Sequence, residues 1–205
     1  VLGKDMGATN ALIDGMYASI RLAQLDCIQQ RFSDCPSTLR QLSGYRTAMT
    51  GLGVAWSTRA ALLGDIQGAR VAIQGAGVVG QGAAQRLREL GADIVAMSDI
   101  RGVIDSSAGL QGARIGGPEA LFDCPADVLV LAASSDSVDV EDANRIQANI
   151  VIEGSNFGLT EAARMILQSR GITVIPDIIA SSSSAAMVTR QMACGGALSS
   201  SELWH

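Results

Sequence analysis

The residues best suited to chemistry form a glycine-rich run directly after a short apolar segment that begins at Val71. The run reads Gly75-Ala76-Gly77-Val78-Val79-Gly80 and leads into a pattern typical of a helix. In such a turn one glycine permits the tight bend, a second lets backbone approach a pyrophosphate, and a third permits close packing of helix on strand. The run therefore predicts a dinucleotide-binding turn. The alternative is a tight turn that binds no ligand.

An acidic residue, Asp99, ends the next apolar run, 19 residues after Gly80. A carboxylate at this position hydrogen-bonds the adenosine ribose hydroxyls of NAD and repels the 2′-phosphate of NADP. Arg101 could instead accept that phosphate, or it could be an ordinary exposed arginine. Asp99, Ile100 and Arg101 are therefore predicted to lie at the adenosine ribose. NAD is the expected cofactor, and NADP remains possible.

A sheet must bring these residues together, and the chain has a suitable pattern. Apolar runs begin near positions 71, 94, 128, 150 and 172, and helix-like segments cover about 80–90, 139–147, 160–170 and 179–193. Continuous apolar runs separated by helices are typical of parallel strands buried on both faces. The predicted fold class is α/β, with a Rossmann-type, doubly wound, mainly parallel sheet. A weak further strand is expected near Ala113 to Ile115.

Two helices are predicted before the sheet, over about residues 8–31 and from about Thr50 to Leu63. Between them lies a predicted loop containing Asp34, Pro36 and Ser43-Gly44. We therefore expect a helical segment over residues 1–45, packed on an NAD(P)-binding Rossmann domain over residues 46–205. The two parts are expected to form one compact unit.

Composition excludes several classes of protein. The chain has 205 residues, of which 48% are hydrophobic and 17% charged, so it can bury a core and is not disordered by composition. A net charge of -5 with only 3% aromatic residues lacks both the basic and the stacking features of nucleic-acid binding. Because no apolar run approaches 18 residues and no targeting signal is recognisable, a cytoplasmic protein without membrane contact is expected.

Side chains that usually carry catalysis are scarce. The one histidine is the last residue, His205, and the four cysteines form no C-x-x-C pair, so no metal site is predicted. Among the 15 basic residues the only lysine is Lys4. Any mechanism that needs a lysine therefore has a single candidate in this chain.

Five segments outside the glycine run contain motifs that resemble those of a known family. They are Gly3 to Thr9, Arg46 to Val54, Cys124 to Ala133, Val151 to Asn156 and Val174 to Ala180. The first is similar to a G-P-D-M-G-T motif and the second to an R-x-x-A-T-G-x-G-V motif. In order and spacing they resemble the cofactor-binding half of the glutamate, leucine, phenylalanine and valine dehydrogenase family. The resemblance covers residues 1 to about 180.

The resemblance implies hydride transfer between a nicotinamide and an amino acid, which passes through an imine to a 2-oxo acid. It implies that Asp5 is the catalytic aspartate, although an aspartate before a helix could also be an N-cap. It further implies that Thr50 lies near the nicotinamide carboxamide. The other residues that it assigns to the nicotinamide and its ribose are Ala132, Ala133, Ser134 and Asn156.

Departures from the family pattern put the substrate and the activity in question. Family members are about twice as long, and the domain that carries their substrate-binding lysines would precede Val1. Lys4 replaces a proline, and Ser181 to Ser184 replace an N-A-G-G motif. Lys4 is therefore a second catalytic candidate, beside Asp5, to polarise a carbonyl; a solvated lysine is the alternative. The serines could donate hydroxyl groups to the cofactor or could simply lead into the last helix.

Three functional hypotheses follow. The chain could be the cofactor domain of an NAD(P)-dependent amino acid dehydrogenase acting on an amino acid or a 2-oxo acid. It could be a dinucleotide-binding module, regulator or subunit without turnover of its own, or a small enzyme with a redirected substrate. A homodimer, or a partner chain that carries the missing domain, is the expected assembly.

Overall fold

The computed structural model describes residues 37–105 and 114–186. The chain divides into two units, Val1–Ser43 and Gly44–His205, and the sheet and the candidate site lie in the second. Lys4, Asp5 and the first predicted helix fall outside the described residues, and the proposed boundary after residue 45 stays a prediction. None of the helices in the described ranges is long and apolar enough to cross a membrane.

Six strands form one sheet in the order β3-β2-β1-β4-β5-β6. They are β1 (Arg70–Gln74), β2 (Asp93–Asp99), β3 (Gly102–Asp105), β4 (Val128–Leu131), β5 (Ile150–Glu153) and β6 (Thr173–Ile175). Neighbouring strands are parallel except β2 and β3, which are antiparallel. The predicted Rossmann-type, mainly parallel α/β fold is confirmed. The strand order reverses at β1 and β4, where ligands of open α/β sheets bind beyond the carboxyl ends of the strands.

Apolar side chains cover both faces of the sheet. All four residues of β4 are buried. Val128 and Val130 belong to one hydrophobic cluster, together with Ile73 of β1 and Leu87. Leu129 and Leu131 belong to the other. This two-sided burial is the physical reason that the strands read as continuous apolar runs in the sequence.

Besides a short helical segment at 183–186, five α-helices and one 3-10 helix accompany the sheet in the described ranges. They are α1 (Ser37–Ala61), α2 (Val78–Glu89), α3 (Val140–Arg145), α4 (Glu161–Ser169) and α5 (Asp177–Ala180), with the 3-10 helix at Pro118–Asp123. Two of them begin at side-chain caps. Asp139 and Asp142 form a capping box at α3, and the Thr160 hydroxyl accepts a hydrogen bond from the Ala163 N–H at α4.

Helix α1 corrects one prediction. It covers Ser37–Ala61, so Ser43-Gly44, predicted as part of a loop, are helical and the helix does not start near Thr50. Asp34 and Pro36, the other residues of the predicted loop, lie outside the described residues. One glycine inside a helix costs only about 1 kcal/mol, so Gly44 was not sufficient to break this helix.

Two further corrections concern the edge of the sheet and the end of the described chain. One edge strand is β3, which was not predicted. Of the strand expected near Ala113 to Ile115, the described residues form one antiparallel bridge, between Arg114 and Ile104. The helix expected over 179–193 starts earlier, as α5. It is interrupted at 181–182 and resumes over 183–186. The rest of that segment lies outside the described residues.

A candidate dinucleotide site at the carboxyl ends of the strands

The three glycines of the turn after β1 differ in the space that surrounds them. Gly75 has a φ of 99°, and a Cβ there would collide with the Ala132 carbonyl group. A Cβ at Gly80 would collide with the Gly75 carbonyl oxygen. A Cβ at Gly77, by contrast, would have no described atom within 4 Å. The fold requires the first and third glycines, whereas the second borders open space.

Gly77 is also the N-cap of α2. It has no side chain to cap the helix. The N–H groups of Val78 and Val79 have no acceptor among the described residues, while the Gln81 N–H already donates to the Gly77 carbonyl oxygen at 2.9 Å. The first amides of a helix, together with its dipole, form a binding site for an anion. The open side of Gly77 leaves room for a pyrophosphate at this helix end, so the residues fit a dinucleotide.

Beside the turn lies a cavity of about 390 Å³ at the carboxyl ends of β4 and β5. Six of the residues predicted from sequence line it: Thr50, Val79, Ala132, Ala133, Ser134 and Asn156. Three lining residues were not predicted: Ser135, Gly154 and Ser155. Two more, Ser181 and Ser184, belong to the serine run for which a cofactor contact was one of two alternatives. None of these side chains is ionisable. The cavity suits neutral polar groups such as a carboxamide and ribose hydroxyls.

Two glycines of α1, Gly51 and Gly53, let the helix pack closely against its neighbours and so position Thr50. A Cβ at Gly51 would lie 2.5 Å from the Val79 carbonyl oxygen, at the start of α2. A Cβ at Gly53 would meet the side chain of Ser183. Only glycine permits both contacts, so the Gly-x-Gly spacing in α1 holds Thr50 against the helix start and the serine run.

Three serines of that run donate hydrogen bonds to different carbonyl oxygens, and the fourth lines the cavity. The hydroxyl of Ser181 donates to the Asp177 carbonyl oxygen at 2.7 Å, and that of Ser182 to the Ile179 carbonyl oxygen at 2.9 Å. The Ser183 hydroxyl donates to the Met49 carbonyl oxygen at 2.6 Å, and Ser184 lines the cavity. The run is therefore a hydrogen-bonded turn against α1.

The loops after β4 and β5 support each other around the cavity. The Ser135 hydroxyl donates to the Asn156 carbonyl oxygen at 2.8 Å. The Asp136 N–H donates to the Phe157 carbonyl oxygen at 2.6 Å. Phe157 has a φ of 52°, an uncommon conformation for a residue with a side chain. These contacts fix the position of Asn156.

Two buried carboxylates, which were not predicted, accept hydrogen bonds from the backbone of the loop after β5. Glu153 is fully buried; its Oε2 accepts from Arg164 Nη2 at 2.8 Å and its Oε1 from the Leu159 N–H at 3.1 Å. Asp177 Oδ2 accepts from the Phe157 N–H at 2.9 Å. Burial raises the pKa of Glu153, and the charge of Arg164 opposes that rise.

At the end of β2 the structure brings Asp99 and Arg101 together, and it adds an arginine that was not predicted. Arg114 Nη1 lies 2.7 Å from Asp99 Oδ1, and Arg114 Nη2 lies 2.9 Å from Oδ2. The hydrogen bonds from Arg114 and from the Arg101 backbone N–H hold the pKa of the Asp99 carboxyl well below its usual range. The Ile100 side chain between them is 95% exposed.

The described ranges hold no group of three or more His, Cys, Asp and Glu side chains arranged to bind a metal. The polar groups that the described residues bring to the site are backbone amides, hydroxyl groups, the Asn156 amide and the charged groups at Asp99.

Comparison with known protein families shows to which family the chain belongs. The sequence model of the Glutamate/Leucine/Phenylalanine/Valine dehydrogenase family matches residues 43–117 and 111–194. The chain belongs to this family. The match contains the glycine turn, the cavity lining and all six strands, so the predicted family is confirmed. The segment Gly3 to Thr9 lies outside the match, and its assignment stays a prediction.

Two relatives illustrate how much of the family the chain represents. Glutamate dehydrogenase of Aeropyrum pernix is 41% identical over 157 residues, which cover 66% of this chain and 37% of that protein. NADP-specific glutamate dehydrogenase of Saccharolobus shibatae is 37% identical over 170 residues, covering 73% of this chain and 40% of that protein. The chain thus spans about two fifths of the length of these dehydrogenases.

Solved structures of the family share the fold. Hetero-hexameric glutamate dehydrogenase from Thermus thermophilus, in a leucine-bound form, matches with a TM-score of 0.67 and 29% identity, over 77% of this chain and 42% of that one. L-tryptophan dehydrogenase from Nostoc punctiforme matches with a TM-score of 0.64 and 21% identity, over 80% of this chain and 52% of that one. The second likeness concerns the fold alone.

Proposed function

We propose that this chain binds a nicotinamide dinucleotide and orients it for oxidoreduction between an amino acid and its 2-oxo acid. One observation carries the proposal. Gly77 leaves open space at the amide-rich start of α2, although no described part of the fold needs a glycine there. A pyrophosphate bound against the backbone accounts for that glycine.

The residues have distinct roles in this proposal. The amides at the start of α2 hold the pyrophosphate, and Val79 and Thr50 contribute to the cavity lining. Ala132, Ala133, Ser134 and Asn156 also line the cavity, where they orient a nicotinamide and shield it from water. When bound, the dinucleotide supplies the hydride chemistry.

A specific observation favours a second candidate function, a cofactor-binding subunit without turnover of its own. None of the described residues that line the cavity is ionisable, so these residues offer neither a general acid or base nor a cation for a substrate carboxylate. The Thermus relative described above is hetero-hexameric. We propose that proton transfer comes from Asp5, with Lys4 as a carbonyl-polarising group, or from a partner chain.

The remaining proposals concern assembly and location. A homodimer, or a complex with a chain that supplies substrate-binding groups, is the assembly that we propose. The cytoplasm is the proposed location. Sedimentation of the purified chain at micromolar concentration, followed by addition of a candidate partner, tests the assembly directly.

The test of function separates binding from turnover. We expect the chain to bind NADH or NADPH, measured by nicotinamide fluorescence, and to oxidise glutamate, leucine, phenylalanine or valine slowly or not at all. Loss of one preorganised electrostatic group lowers a rate by about a hundredfold to a thousandfold. An uncharged cavity is expected to show an effect of this size.

Asp5→Asn and Lys4→Ala serve as comparisons in the same assay. Fast turnover that both substitutions abolish would establish a compact catalytic pair and remove the subunit hypothesis. Turnover that Asp5→Asn leaves unchanged would exclude the proposed role of Asp5. Failure to bind either dinucleotide would overturn the proposed function itself.

A further inference from the structure

The carboxylate of Asp99 has no acceptor position left for a ribose. Its Oδ1 accepts from the Arg101 N–H at 2.8 Å and from Arg114 Nη1 at 2.7 Å. Its Oδ2 accepts from Arg101 Nη2 at 3.0 Å, from Arg101 Nε at 3.3 Å and from Arg114 Nη2 at 2.9 Å. A carboxylate has about four lone-pair positions. To bind ribose hydroxyls, Asp99 would first have to release a guanidinium group.

The two arginines, by contrast, keep donors available. Each guanidinium has about five N–H donors. Arg101 directs its Nε and Nη2 toward Asp99, which leaves Nη1 without an acceptor in the described chain. Arg114 uses Nη1 and Nη2 for Asp99 and for the Gly102 carbonyl oxygen, which leaves its Nε. Two cations against one anion give this end of β2 a local positive charge.

Both arginines are accessible at the place where the adenosine ribose of a dinucleotide would lie. The side chain of Arg101 is 73% exposed and that of Arg114 is 32% exposed. The residue between Asp99 and Arg101, Ile100, is almost fully exposed, so its side chain does not block the approach. Planar guanidinium groups are well suited to binding phosphate.

We propose that Arg101 and Arg114 bind a phosphate monoester on the adenosine ribose, and that Asp99 positions the two arginines instead of reading the ribose. The chain therefore prefers NADP to NAD, the reverse of the preference expected from Asp99 alone. This inference rests on the proposed dinucleotide site. The antiparallel hairpin of β2 and β3, followed by the Arg114 bridge, creates the phosphate site by returning Arg114 to Asp99.

Fluorescence titration with NADPH and NADH tests the proposal. The unmodified chain is expected to bind NADPH at least about tenfold more tightly. Arg101→Leu is the first variant, since its side chain is 73% exposed and, among the described residues, hydrogen-bonds only to Asp99, so its loss does not threaten the fold. Arg114→Leu is the second. Each is expected to weaken NADPH about tenfold to a hundredfold, the range for a lost charge-assisted hydrogen bond, and to change NADH less than threefold.

Arg145→Leu is the matched control. Arg145 donates from Nε and Nη2 to the two oxygens of Asp123, and its side chain is 31% exposed, close to the value for Arg114. It lies in α3, and it is not part of the candidate site. This variant is expected to leave both affinities unchanged, so a general effect of removing a paired arginine is separated from a specific one.

Competition with adenosine 2′,5′-bisphosphate and with AMP isolates the adenosine end from the nicotinamide cavity. Bisphosphate binding that both Arg101→Leu and Arg114→Leu weaken would support the phosphate site even if no amino acid were oxidised. Tighter binding of NADH than NADPH, or equal losses for both dinucleotides in the two variants, would overturn the inference while leaving the proposed function intact. A chain that binds neither dinucleotide nor bisphosphate would overturn both.

Discussion

Gly77→Leu is expected to abolish dinucleotide binding while the protein remains folded. The added side chain meets no described protein atom near its Cβ, and the φ of -78° at this N-cap is accessible to any residue. The cost in stability should therefore be about 1 kcal/mol, the scale of a poorer N-cap. Leucine would occupy the space beside the amides of α2. Loss of two charge-assisted hydrogen bonds, about 1.5 kcal/mol each, weakens binding at least a hundredfold.

Gly80→Ala is expected to lower the stability of the fold, in contrast to Gly77→Leu. Its Cβ would collide with the Gly75 carbonyl oxygen, so this smaller substitution is expected to reduce stability by several kcal/mol through backbone displacement at the turn. Urea denaturation and NADPH titration should be measured on both variants. Unchanged affinity in a folded Gly77→Leu protein would show that the pyrophosphate does not bind at this helix start.

Arg164→Met is expected to be the most destabilising substitution of a charged residue in the described chain. Its guanidinium is the partner of the Glu153 carboxylate, which is fully buried beneath the loop that carries Asn156. Removing one member of a buried ion pair typically costs about 3–5 kcal/mol, because an uncompensated charge remains. Urea denaturation at neutral pH should reveal this loss. Arg145→Met, in an exposed pair with Asp123, should cost less than about 1 kcal/mol.

The pH dependence of that loss has a definite sign. Burial raises the pKa of Glu153 in the folded protein, and removal of Arg164 should raise it further. The unfolded chain ionises Glu153 at about pH 4.3. The folded variant therefore loses stability as pH rises from about 4.3 through the raised pKa, and the deficit should shrink on acidification. A deficit independent of pH would indicate lost packing instead. The double substitution Glu153→Leu with Arg164→Met should recover much of the stability at neutral pH.

The sheet and the glycine turn could be predicted because each depends on local sequence. A strand buried on both faces needs a continuous apolar run, and β4 satisfies that need with four buried residues. The turn needs glycine at Gly75 and Gly80 because of their own backbone neighbours. These requirements act over a few residues, so the pattern is visible in the sequence.

The missed features depend on contacts between distant segments. Strand β3 has four residues and follows β2 too closely to appear as a separate apolar run. Arg114 reaches Asp99 only because the chain reverses there, and no spacing rule predicts that pair. Glu153 resembles an exposed residue at the end of a strand until Arg164, on α4, supplies its partner. The sequence therefore predicted the backbone of the site but not the side-chain pairs Arg114–Asp99 and Arg164–Glu153.

The four consecutive serines have a consequence for how this protein can vary. Although Ser181 to Ser184 are chemically identical, their hydroxyl groups occupy different structural environments. A single-residue deletion would leave three serines for four positions, so either a hydrogen bond of the run or the hydroxyl group at the cavity would be lost. Alignments should therefore tolerate substitution within this run more readily than a change in its length.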